Sequence, residues 1–83
     1  MTITVRLFAR VRELAGTDTI RVELPARSAV SDLRAALAQG WPAIAPLVAR
    51  SAMAVNGEYA TEANHLDPTD EIALILPVSG GAG

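Results

Sequence analysis

Glu71-Ile72-Ala73-Leu74-Ile75-Leu76-Pro77-Val78 is the stretch on which the fold turns. Read at the two-residue period of a strand, Ile72, Leu74, Leu76 and Val78 share one face, and Ala73, Ile75 and Pro77 share the other. Both faces are apolar. A strand of that kind belongs at the centre of a sheet or beneath a partner, because a half-exposed strand alternates apolar with polar. Asp67-Pro68-Thr69-Asp70 just before it reads as a turn.

The other strands alternate in the ordinary way. In Thr2 to Phe8, Ile3, Val5 and Leu7 form the apolar face, and Phe8 falls on the polar one. Thr19 to Leu24 places Ile20, Val22 and Leu24 together, and Pro25 ends it. Between these strands, Ala9 to Ala15 changes period: Val11, Leu14 and Ala15 fit a short helical turn stopped by Gly16, and Thr17-Asp18 reads as a turn. Asn56-Gly57, set between Met53-Ala54-Val55 and Glu58-Tyr59-Ala60, is a strong hairpin signal, since both residues accept positive φ. The principal helix starts near Ser28, a good N-cap, with Asp32 in its first turn. It carries Val30, Leu33 and Leu37 on one face and closes near Gln39. Trp41 to Arg50, broken by Pro42 and Pro46, reads as a short irregular helix.

These elements predict an α+β fold, a mixed sheet of four to five strands with one principal helix packed on one face. The domain spans 1–78, and 79–83 forms a glycine-rich tail. The other sheet face has no helix left to cover it. Phe8 and Ile75 project there by alternation, and Tyr59 joins them through the hairpin register; the three read as a contiguous partner-binding patch, with three isolated exposed apolar residues as the plain alternative.

Composition narrows the function. With 83 residues there is room for one small domain, burying about 60% of its unfolded surface. Hydrophobic residues are 51%, many of them alanine, and the net charge is −2, which gives no overall pull toward nucleic acid. Cysteine is absent, which excludes disulfides, thiolate nucleophiles and cysteine zinc sites. All seven basic residues are arginine, so there is no Schiff-base lysine. A lone His65 in a polar loop is not a metal site, and Glu62, Asp67, Asp70 and Glu71 lack calcium-loop spacing. Arg6, Arg10 and Arg12 cluster near the first strand; they read as surface ion pairs or as a dock for an acidic partner. No secretory leader or membrane span is visible, and the cytoplasm is the expected location. No nucleophile–base pair can be assembled, so a free-standing enzyme is the least favoured class. The sharpest chemical feature is Pro77-Val78-Ser79-Gly80-Gly81. A Gly-Gly segment can thread a narrow channel, and a terminal glycine carboxylate is open to activation; a frayed terminus is the plain alternative.

Three segments together resemble the small-subunit family of molybdopterin synthase. They are Phe8-Ala9-Arg10-Val11-Arg12-Glu13-Leu14-Ala15-Gly16, Ala54-Val55-Asn56-Gly57-Glu58-Tyr59, and Asp70 through Gly81. The resemblance covers nearly the whole chain. It implies a ubiquitin-like β-grasp fold and a non-catalytic sulfur carrier. An activating enzyme would adenylate the terminal glycine with ATP, and a persulfide sulfur would displace AMP to give a thiocarboxylate. That group would donate sulfur to cyclic pyranopterin monophosphate in molybdenum cofactor biosynthesis. The implied partners are that enzyme and the large catalytic subunit, in a heterotetramer of two small and two large subunits, with neither nucleic acid nor membrane. No cofactor is bound by the chain itself. Positions matching Phe8, Tyr59, Ile75, Pro77, Val78 and Arg12 would meet the large subunit, and Gly80 and Gly81 would form the reactive end.

The chain departs from the family pattern in continuing with Ala82-Gly83. Either Gly83 carries the activated carboxylate, or these two residues are removed to expose Gly81, or this copy is inactive. Gly81 is taken as the functional end, because Gly80-Gly81 sits at the family's distance from the last strand. Two alternatives remain: a ubiquitin-like sulfur carrier for thiamine, cysteine or tRNA thiolation, and a β-grasp interaction module with an inert tail.

Overall fold

The structure, a computed structural model, describes residues 1–76. Pro77, Val78, Gly80, Gly81 and Gly83, and with them the tail assigned to 79–83, lie outside the described residues.

The elements follow in the order β1 (Thr2–Leu7), α1 (Ala9–Ala15), β2 (Thr19–Glu23), α2 (Val30–Gly40), α3 (Ala45–Arg50), β3 (Ala52–Val55), β4 (Glu58–Tyr59) and β5 (Ile72–Ile75). The five strands form one sheet in the order β2-β1-β5-β3-β4. β5 is the middle strand, as its two apolar faces require. It runs parallel to β1, and the other pairings are antiparallel. Ile72 and Leu74 are buried on the helix side.

The core lies between that sheet face and the helices. Ile3, Val5 and Leu7 of β1 and Ile20 and Val22 of β2 meet Val30, Leu33 and Leu37 of α2, with Ile44, Val48 and Met53 closing one end. Each fully buried aliphatic side chain contributes about 1.5–3 kcal/mol relative to exposure. Val11 anchors α1 to this cluster. Leu14, expected to share Val11's face, is instead exposed. With only seven residues, α1 has room for a single buried anchor before Gly16 turns the chain. Gly16 does so with φ +76, its N–H donating to the Arg12 carbonyl at 3.0 Å. A side chain there would meet no neighbour, so the backbone angle alone makes glycine the suitable residue.

Two local expectations need correction. Ser28 is not the N-cap of α2: its hydroxyl donates to the Pro25 carbonyl at 2.7 Å, and Ala29 occupies the cap. Alanine has no side-chain acceptor, so Asp32 alone supplies the capping contact, accepting from the Ala29 N–H at 2.8 Å. Leu66, inside a stretch that reads as polar, is buried in the core. Its N–H donates to the Ser28 carbonyl at 2.8 Å, which pulls the loop onto the start of α2.

The Asn56-Gly57 turn has φ +52 and +84, the two positive angles of a type I′ hairpin. Asn56 also ties the turn to the segment before β5. Its side-chain amide donates to Asp70 at 2.9 Å, and its side-chain oxygen accepts from the Glu71 N–H at 2.9 Å. The register of β4, and so the position of Tyr59, is thereby held from two sides.

Candidate partner-binding face

Directly paired residues on neighbouring strands project to the same side of a sheet. Arg6 pairs with Ala73, Ala73 with Ala54, and Ala54 with Tyr59. These four residues form a row across the helix-free face. One step along the strands, Ile75 pairs with Ala52. Leu7 pairs with Leu74, and Phe8 continues β1 in an extended conformation (φ −134, ψ 159), which brings it level with Ile75. The sequence-derived trio Phe8, Tyr59 and Ile75 is therefore assembled on one face.

The relief follows from side-chain size. Ala54 and Ala73 form a low floor; Phe8, Ile75 and Tyr59 stand around it, with Arg6 at the edge. The depression is open and holds about 330 Å³. That is the bottom of the range for ligand pockets and suits one or two protruding side chains of a partner better than an enclosed small molecule. Phe8, Leu14 and Tyr59 are the exposed large hydrophobics among the described residues, and two of them stand here. The Arg6 guanidinium lies 5.6 Å from the centroid of the Phe8 ring, within cation–π range.

The arginine cluster read from the sequence is divided by the fold. Arg6 borders the depression. Arg10 pairs with Glu13 at 3.3 Å on the exposed side of α1. Arg12 is exposed on the same helix and is not part of the depression's lining. His65 has Nδ1 at 2.8 Å from the Arg27 carbonyl, in a loop that bridges to Ala29. No group of three His, Cys, Asp or Glu suited to a metal occurs among the described residues. The acidic loop residues have structural partners. Asp67 accepts from the Thr69 amide and hydroxyl, which holds its carboxyl below the usual range.

Glu62 has the most consequential partner, one that sequence reading missed. Arg34 on α2 makes a two-pronged contact with it, Nε to Oε1 at 3.0 Å and a terminal nitrogen to Oε2 at 2.6 Å. The other terminal nitrogen donates to the carbonyls of Val48 and Ser51 at 2.6 and 2.8 Å. One guanidinium thus joins α2, the end of α3 and the loop before β5. The shared hydrogen bonds raise the Arg34 pKa and lower that of Glu62.

A mixed five-strand sheet with helices on one face and the other face left bare defines a ubiquitin-like β-grasp domain. The crystal structure of small archaeal modifier protein 1 from Haloferax volcanii superposes with a TM-score of 0.83 at 31% identity, covering 98% of this chain and 100% of that one. The chain belongs to the ThiS family, whose model matches residues 5–81. It is 39% identical over 80 residues to a molybdopterin synthase sulfur carrier subunit from Dictyostelium discoideum, covering 93% of each chain. It is 37% identical over 81 residues to the sulfur carrier subunit from Escherichia coli, covering 95% of this chain and 99% of the relative.

Proposed function

We propose that this protein is the sulfur carrier subunit of a molybdopterin synthase. The observation that carries the reading is its similarity, across nearly its whole length, to sulfur carrier subunits of that enzyme. The chain serves as a handle. A terminal glycine carboxylate, assigned to Gly81 or, if the last two residues stay, to Gly83, becomes electrophilic only as a mixed anhydride with AMP. A separate activating enzyme supplies the ATP chemistry. Sulfur comes from outside, since the chain has no cysteine. The thiocarboxylate then meets cyclic pyranopterin monophosphate in the large catalytic subunit, which docks on the face built by Phe8, Tyr59 and Ile75, with further contacts assigned to Arg12, Pro77 and Val78. The chain holds no cofactor of its own and performs no catalysis alone. A cytoplasmic setting and a two-plus-two assembly with the large subunit belong to the same proposal.

Intact mass spectrometry after co-expression with the activating enzyme and a sulfur donor tests it. Exchange of one terminal oxygen for sulfur is the expected result, and the same spectrum reads whether Ala82-Gly83 is retained. Absence of the sulfur adduct beside a competent activating enzyme refutes the carrier role. A second reading, attachment of the activated chain to amines of other proteins, is favoured by the similarity to small archaeal modifier protein 1.

A further inference from the structure

Of the asparagines Asn56 and Asn64, only Asn56 is followed by glycine. Glycine puts no Cβ in the way of its own backbone nitrogen, so that nitrogen closes readily on the carboxamide before it, and Asn-Gly is the pair most open to deamidation. Burial gives this pair no protection. Asn56 and Gly57 are both exposed, and a side chain at Gly57 would meet no neighbour. The segment before β5 is what engages the carboxamide. Nδ2 of Asn56 donates to Oδ1 of Asp70 at 2.9 Å, and Oδ1 of Asn56 accepts from the Glu71 N–H at 2.9 Å. The Asn56 backbone N–H donates to the Glu71 carbonyl at 2.8 Å. Asp70 is held in turn, its Oδ2 accepting from the Asp67 N–H at 2.8 Å. The carbon that would react therefore lies between two occupied atoms, and the carboxamide must leave Asp70 and Glu71 before Gly57 can attack it.

We propose that Asn56-Gly57 is a deamidation site held shut by its bonds to Asp70 and Glu71, and that modification there releases the hairpin that carries Tyr59. The inference stands apart from the proposed function. In the reaction, the Gly57 nitrogen gives its proton to hydroxide and forms a C–N bond to Cγ of Asn56. The Cγ–Nδ2 bond breaks, and the nitrogen leaves as ammonia with a proton from water. Water then opens the succinimide ring at either carbonyl, leaving aspartate or isoaspartate. Aspartate sets a carboxylate oxygen where Nδ2 donated to Asp70, and like charges at that distance repel. Isoaspartate adds a methylene to the main chain, for which a two-residue type I′ turn has no room. Little else holds the hairpin in register. β4 is two residues long, pairing Val55 with Glu58 and Ala54 with Tyr59, and a bond from the Ala60 N–H to the Met53 carbonyl at 2.9 Å follows them.

The test ages folded wild type, folded Asp70→Ala and urea-unfolded wild type in mildly alkaline buffer. Peptide mass spectrometry follows deamidation at Asn56 and separates aspartate from isoaspartate, with Asn64 as the internal reference. The unfolded chain should react fastest, and Asp70→Ala should react roughly tenfold or more faster than folded wild type. Folded wild type that reacts as fast as the unfolded chain overturns the proposal. So does a folded Asp70→Ala that reacts no faster than wild type; a slower one would make the Asp70 carboxylate a promoter of the reaction. A second arm reads the release of the hairpin. Asn56→Asp should lower the urea midpoint and shift the ring resonances of the single tyrosine, Tyr59. Asn56→Asp combined with Asp70→Asn should restore both, because the new amide at position 70 donates to the new carboxylate at position 56 and its oxygen still accepts from the Asp67 N–H. An Asn56→Asp protein matching wild type in both readouts, or a double variant that restores neither, refutes the release. If Asp70→Ala does not fold, folded against unfolded wild type and the exchanged pair still decide.

Discussion

Tyr59→Ala isolates the partner-binding face from the fold. Tyr59 is 75% exposed on a two-residue strand, and its direct cross-strand neighbour is Ala54. Its removal costs the isolated protein no more than a cross-strand pair, about 0.2–1 kcal/mol. Binding is a different matter. A tyrosine can bury on the order of 200 Å², so about 150 Å² of this one remains available to a partner. At about 25 cal/mol per Å² the ceiling is about 4 kcal/mol. Ordering the side chain takes back about 0.5–1.5 kcal/mol. A net loss of about 2–3 kcal/mol corresponds to roughly 30- to 150-fold weaker binding. Titration calorimetry against the large subunit, with a thermal melt of each variant, measures both quantities. Leu14→Ala is the control, an exposed leucine on α1 away from the depression, and its affinity should stay at the wild-type value. An affinity for Tyr59→Ala within about twofold of wild type would show that the partner does not use this face.

Three further outcomes follow from the same geometry. Ile75→Asp sets a carboxylate among Phe8 and the alanine floor, and should weaken large-subunit binding while the free protein keeps its native circular dichroism; unchanged binding counts against the face. Arg34→Ala removes the bonds that join α2, α3 and the 61–65 loop, and should cost about 2–4 kcal/mol after allowance for solvent exposure; at about 4–8 °C per kcal/mol for a domain of this size, a melting shift of only a degree or two refutes the bracing role. The lowered pKa of Glu62 makes its contribution fully present above the ordinary glutamate value of 4.5 and lost as pH falls through the folded value. Glu62→Gln should therefore flatten part of the acid limb in urea midpoints measured from pH 7 to pH 3, by less than about 1 kcal/mol because the carboxylate is half exposed, and an acid limb as steep as wild type would contradict this.

The strands were legible because alternation is a local signal: Ile3, Val5 and Leu7 announce their face, and Asn56-Gly57 announces its turn. β5 announced its central place by having no polar face at all. Features made by single residues or by distant pairing left no such trace. Leu66 is one apolar residue in a polar stretch, without a period to identify it. Arg34 and Glu62 are 28 positions apart, and two of the four acceptors of Arg34 are backbone carbonyls, which every residue possesses. The Ser28 expectation failed because the side chain of Asp32 can reach back to cap from inside the helix, leaving the serine free to turn toward Pro25. On the candidate face, the large residues were readable and the floor was not, since Ala54 and Ala73 acquire meaning only when the register places them side by side.

That floor bears on how the face can be exposed and still bind. A broad patch of large side chains on the central strands would favour association with anything apolar, including other copies. Here the middle of the face is alanine, with little apolar area to hide. The large side chains of the proposed binding surface are the three around it, Phe8, Tyr59 and Ile75. Interfaces draw most of their energy from a few large residues seated in well-fitted surroundings. A low floor ringed by two aromatics and an isoleucine has that form, and it rewards only a partner shaped to fill the depression. β5 builds both sides of the arrangement: Ile72 and Leu74 hold the strand in the core from below, so Ala73 and Ile75 are presented above on the central strand of the sheet. In the proposed function, selectivity for the partner and stability of the fold rest on alternate residues of one four-residue strand, so changing Ile75, but not its neighbour Leu74, is expected to separate the two.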